Sequence, residues 1–125
     1  MTAGLAGVGL AATAGVELAW AGALALAGLL VEAADYEALQ EHVSASLAPL
    51  LDDGVRGREL LATFDAYVAS GFNQRETARR SYLHINTVAN RLDRIGQRLE
   101  RDLSDPETLI ELAVALRLAK LIGIV

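Results

Sequence analysis

From Asp35 onward, apolar residues recur at spacings of three and four, the period of helices that bury one face. Tyr36, Leu39, Val43, Leu47 and Leu50 predict an amphipathic helix over residues 35–51, with Pro49 disturbing its last turn. Asp52-Asp53-Gly54 reads as a turn and a linker. A second helix is predicted from about Gly57, carrying Leu60, Leu61, Phe64, Tyr67 and Val68 inward and ending at Ser70-Gly71. Asn73 then caps a short helix, and Glu76, three residues on, completes a reciprocal capping box. Ala78 is small enough for the next helix to cross closely, and Leu83 is the apolar residue of the intervening turn.

The helix after that turn, over about 85–99, is the most sharply divided of all, with His84 fitting the cap position. Val88, Leu92, Ile95 and Leu99 fall within about 60° of one another at roughly 100° per residue. The opposite side carries Asn86, Asn90, Asp93, Arg94 and Gln97, flanked by Thr87, Arg91 and Arg98. Ser104-Asp105-Pro106-Glu107 opens a last helix, with Asp105 as cap and Pro106 in the first helical position. That helix has two apolar stripes, one through Leu109, Leu112, Ala113 and Leu116 and another through Ile110, Val114, Leu118 and Leu121. A small domain needs one, so the second is expected to meet another subunit or domain.

Residues 1–34 break the pattern. They are nearly all Ala, Gly, Leu and Val, with Glu17 and Glu32 as the only charges. Three readings stand: a buried or partner-facing helical segment left from an upstream domain, a membrane-associated stretch, or disorder. The uninterrupted run Leu18–Val31 is shorter than a membrane span of about 20 residues, and no Lys or Arg precedes Arg56 to supply a signal-peptide n-region. Six glycines in this segment weaken any solitary helix. The expected fold is all-α: a helix-turn-helix with a three-helical core plus extra N- and C-terminal helices. Residues 1–34 form the Ala/Gly/Leu-rich segment, 35–56 a helix and linker, and 57–122 the helix-turn-helix domain.

Charge sharpens the picture. The chain carries −5 overall, yet residues 71–101 hold seven arginines against three acids. Charge acts within a Debye length of about 10 Å at ~0.1 M salt, so this local excess of +4 counts for more than the acidic total. Cysteine is absent, which removes disulfides, thiolate metal sites and cysteine nucleophiles; the cytoplasm is the expected compartment. No Ser/His/Asp arrangement, phosphate-binding glycine loop or zinc spacing occurs, and His84 and His42 share no ligand spacing. Neither catalysis nor a cofactor nor a metal is expected.

A capped helix, a tight turn and a helix with an arginine-bearing polar edge is how a helix-turn-helix addresses the major groove of DNA. On that reading Asn86, Thr87 and Asn90 are candidates for base edges, since Asn pairs with adenine through two hydrogen bonds and Thr can touch a thymine methyl. Arg91 and Arg94 would serve phosphates or guanines, with Arg98 too far along the helix to rank with them. Gln74, Arg75 and Arg79 would approach the backbone from the first helix, and His84 has a cap or turn role with a possible phosphate contact. The plainer alternatives are that Asn86 and Thr87 satisfy first-turn amides, and that the arginines form a solvated face paired with Asp93 and Glu100.

The region also resembles the C-terminal helix-turn-helix domain of the PucR/CdaR group of bacterial transcription regulators. The residues that carry the likeness are Glu59-Leu60-Leu61 and Tyr67, Asn73, Thr77-Ala78-Arg79, and Leu83-His84-Ile85-Asn86-Thr87-Val88. They continue with Arg91-Leu92, Arg94-Ile95, Asp102-Leu103-Ser104-Asp105-Pro106-Glu107 and Ala115-Leu116-Arg117-Leu118, over about residues 47–122 in all. The resemblance implies sequence-specific binding to double-stranded DNA, usually as a homodimer, by a regulator of metabolite-catabolism genes. It implies too that any small-molecule effector is bound by an upstream sensor, which residues 1–34 do not recognisably contain. Ile85, Ala89 and Asn90 depart from the group's usual residues on or beside the reading face, so a target sequence does not carry over. Two rivals remain at this level: a helical interaction or dimerisation module that does not touch DNA, and a membrane-tethered regulator.

Overall fold

The computed structural model describes residues 10–33 and 35–125, so residues 1–9 and 34 of the N-terminal segment lie outside the described residues. Six α-helices and no strand occur among the described residues: α1 (Leu10–Ala33), α2 (Tyr36–Leu51), α3 (Gly54–Ala69), α4 (Gln74–Ser81), α5 (Ile85–Leu99) and α6 (Pro106–Leu121). The fold is all-α, as the periodicity predicts. Four of the helices begin where a polar side chain accepts an otherwise unpartnered first-turn amide. Asp35 takes the Glu37 N–H at 3.1 Å, Asn73 that of Glu76 at 2.9 Å, His84 that of Asn86 at 3.0 Å and Asp105 that of Thr108 at 3.3 Å.

The main core forms where α3, α5 and α6 bring their apolar stripes together. Leu60, Phe64 and Tyr67 of α3, Val88, Leu92 and Ile95 of α5, and Leu109, Leu112 and Leu116 of α6 are all buried, joined by Leu50 from α2 and Ala78 from α4. Full burial of each large aliphatic or aromatic side chain is worth about 1.5–3 kcal/mol against exposure. Phe72 closes this core edge-on against Tyr67, with ring centres 5.7 Å apart. Burial pushes the Tyr67 phenol up to about 12, so that ring stays neutral and serves as packing material.

The second stripe of α6 has an intrachain explanation. Ala115, Leu118 and Ala119 are buried against Val43 and Leu47 of α2 and Ala27 of α1. Half-buried Val114 joins them, and Ile110 packs on the main core instead. The stripe, expected to meet another subunit or domain, is covered within the chain by α1 and α2, which leave Leu121 exposed. Two polar contacts fasten the end of α6, the Tyr36 hydroxyl of α2 donating to the Ile122 carbonyl at 3.1 Å and Lys120 pairing with Asp65 of α3 at 2.9 Å.

The link between α2 and α3 is shorter than the sequence pattern implies. α2 continues through Pro49 to Leu51, and α3 starts at Gly54, three residues before the predicted start at Gly57. Gly54 has φ +62°, which lets the chain reverse at once. Gly57 then lies against α2 so closely that a Cβ there would stand 1.8 Å from the Leu50 carbonyl oxygen. Residues 52–53 are a tight corner between two packed helices, fastened to α5 by an ion pair between Asp53 and Arg98.

Within the N-terminal segment, Leu10–Ala33 is helical. Trp20 and Ala27 face inward, Trp20 edge-on to Phe72 at 6.2 Å, while Leu18, Leu26 and Leu29 are exposed. The glycines are tolerated because α1 is not solitary; it lies along α6. No helix among the described residues is long and apolar enough to cross a membrane.

Candidate nucleic-acid interface

The interface is built on α4, the turn after it, and α5. Asn73 fixes the start of α4 with its side chain, and its carbonyl accepts from the buried Thr77 hydroxyl at 2.7 Å. The capping box is only half made. The Glu76 amide is capped, but the Glu76 carboxylate turns along the helix to Arg79, whose Nε donates at 2.8 Å, and to Arg80 at 3.3 Å. The Arg79 hydrogen bond, reinforced by the charge of both guanidiniums, holds the Glu76 carboxyl below its ordinary range. Arg80 also donates to the Ala69 carbonyl at 3.1 Å, tying α4 to the end of α3.

The turn is tight because α4 ends in a left-handed residue. The Leu83 N–H reaches back to the Ala78 carbonyl at 3.0 Å and that of Tyr82 to Arg79 at 3.4 Å, the paired bonds of a Schellman ending. Leu83 drops its side chain against the main core, which sets where α5 begins. His84 caps α5 through Nδ1. An imidazole accepting at Nδ1 carries its proton on Nε2, so a donor is left for a partner outside the turn.

Because Val88 and Ile95 are fully buried and Leu92 nearly so, the opposite edge of α5 must face out. Asn86, Asn90, Asp93, Arg94 and Gln97 are all exposed on it. Asn86, Asn90 and Arg94 have no side-chain partner among the described residues. Thr87 is half-buried beside this edge. On α4, Gln74 and Arg75 are exposed near the first turn, and Arg79 is exposed while held by Glu76. The structure thus brings Asn86, Asn90 and Arg94 together on α5, with His84 at its start.

Arg91 does not join them. It lies about 100° round the helix from Asn90, and its head turns to α3, with Nη1 donating to the Thr63 hydroxyl at 3.1 Å and Nη2 at 3.8 Å from Glu59. That contact braces α5 against α3, because Arg91 sits on the border of the buried stripe. Arg98 is likewise internal to the fold, paired with Asp53 rather than with Asp93 or Glu100. After α5, Asp102 accepts from the Ser104 hydroxyl and amide at 2.6 and 2.9 Å, which hold its carboxyl below the usual range. Tyr82, which sequence reasoning passed over, stands fully in solvent at the turn. Its signal was a tyrosine one residue past a short helix, where glycine is the usual choice.

A short capped helix, a left-handed turn and a second helix whose polar edge stands free above a buried apolar one define a helix-turn-helix domain, the kind that DNA-binding transcription regulators carry. Residues 60–118 match the family model of the PucR C-terminal helix-turn-helix domain. The purine catabolism regulatory protein of Bacillus subtilis (strain 168) is 36% identical to it over 87 residues, covering 70% of this chain and 16% of that protein. The chain thus spans about a sixth of the length of this relative. No solved structure is a significant match.

Proposed function

We propose that this chain is the DNA-reading end of a cytoplasmic transcription regulator that lays α5 in the major groove. One observation carries the reading: Asn86, Asn90 and Arg94 stand exposed and unpaired along the one edge of α5 that the core leaves free. In that pose Asn86 and Asn90 address adenine edges, Thr87 a thymine methyl, and Arg94 a guanine or phosphate. Gln74, Arg75 and Arg79 approach the sugar–phosphate backbone from α4, which fixes register without reading sequence. Arg91 acts indirectly, by holding α5 at its angle to α3.

One module touches few base pairs, so useful specificity calls for a homodimer on two half-sites about 34–36 Å apart. By likeness to the purine catabolism regulator, the controlled genes serve catabolism, and a small-molecule effector acts on a region outside this chain. Nothing in the arrangement calls for catalysis, and among the described residues no cluster of His, Asp or Glu could hold a metal ion.

Selection of bound duplexes from a random pool tests the proposal. The expected result is enrichment of a paired, inverted motif with half-sites about one helical turn apart. A pool that emerges without any enriched sequence would refute sequence-specific reading.

A further inference from the structure

Tyr82 occupies a backbone conformation that disfavours any side chain, and its ring gains nothing from the fold. Its φ is 56°, in the left-handed region where glycine is the natural choice. Phe72 and Glu100 share that conformation, with φ of 61° and 55°. Phe72 is compensated, because its ring is buried against Tyr67 and Trp20. Glu100 places a carboxylate in water, where it belongs. Tyr82 places an aromatic ring in water with 95% of its surface exposed, and its hydroxyl has no partner among the described residues. An uncompensated strained residue with an exposed ring marks a contact made with another molecule.

The surroundings say what that molecule is. Arg79 lies one turn earlier on α4. His84, two residues on, uses Nδ1 to cap α5 and is left with Nε2–H as an outward donor. The first amides of α5 add the positive end of a helix. An exposed phenol in the turn between α4 and the start of a groove-reading helix suits a phosphodiester: the hydroxyl donates to a phosphate oxygen and the ring packs on deoxyribose. Resting on the DNA-binding reading above, we propose that Tyr82 contacts the sugar–phosphate backbone of the duplex flanking α5, with His84 donating beside it.

The test uses the whole 125-residue chain, a fluorescently labelled mixed-sequence duplex, and a series of salt concentrations. Tyr82→Phe should weaken binding about tenfold, the size of one hydrogen bond to a charged acceptor. Tyr82→Gly should weaken it at least as much, yet melt at or above the parent temperature because the left-handed strain is gone. In both variants the slope of log affinity against log salt should stay at the parent value, since a neutral phenol displaces no counterion. Arg75→Ala, by contrast, should flatten that slope by about 1. Parent-like affinity in both tyrosine variants, with Arg75→Ala still flattening the slope, overturns the Tyr82 contact and leaves the DNA-binding reading in place. Failure of the parent chain to bind any duplex overturns both.

Discussion

Replacing Gly57 with alanine should cost the protein about 3 kcal/mol of unfolding free energy, the upper part of the range for forcing extra volume into a packed site. The sign opposes the local expectation. In an isolated helix, Gly→Ala is favourable by about 1 kcal/mol, and Gly57 lies within α3. The added Cβ, however, would meet the Leu50 carbonyl oxygen at 1.8 Å and its carbon at 2.9 Å. Both are backbone atoms of α2, so no rotamer change can relieve the contact. α2 would have to lift from α3, taking Leu50 out of the main core and Leu47 out of the second cluster. Urea unfolding followed by circular dichroism would register a lowered midpoint. Unchanged or raised stability would mean that α2 does not rest on α3 at Gly57.

Asn86→Ala should lower affinity for the preferred duplex by about 1–3 kcal/mol and relax preference at one base position. Asn86 is exposed in the first turn of α5; its amide N–H, not its side chain, is what His84 caps. Stability should therefore change by no more than about 0.5 kcal/mol, which separates a binding effect from a folding one. Affinity for a mixed-sequence duplex should hardly move, because phosphate contacts supply nearly all of that binding. Equal losses on both duplexes would assign Asn86 to the backbone. No loss on either would remove it from the interface.

What could be read from the sequence was whatever short-range chemistry decides. Asn73, His84 and Asp105 are caps because the amides they satisfy lie two or three residues away. The α5 stripe of Val88, Leu92 and Ile95 is legible because one helix period encodes it. The outward placement of Asn86, Asn90 and Arg94 follows from that stripe alone.

Partner choice across the fold was not legible. Arg91 and Arg98 look like members of a solvated face until Thr63 and Glu59 on α3 claim one and Asp53 claims the other. The Glu76 carboxylate had two outlets, back to the Asn73 amide or forward to Arg79, and the arginine won. The start of α3 was placed three residues late because Asp52-Asp53-Gly54 reads as a turn and linker, whereas the helix begins at Gly54 itself; Gly57 is demanded by the close approach of α2. The second stripe of α6 asked for a covering subunit or domain without naming it, because nothing local shows that α2 and α1 fold back over it.

Titrating the binding of duplex DNA against salt is the most direct single measurement. If arginines on α4 and α5 grip phosphates, log affinity falls in a straight line with log salt, by about 0.9 per phosphate neutralised, and drops tenfold or more between about 50 and 200 mM. An affinity indifferent to salt, or no binding to duplex at low salt, would contradict DNA recognition and leave these helices as an apolar docking module.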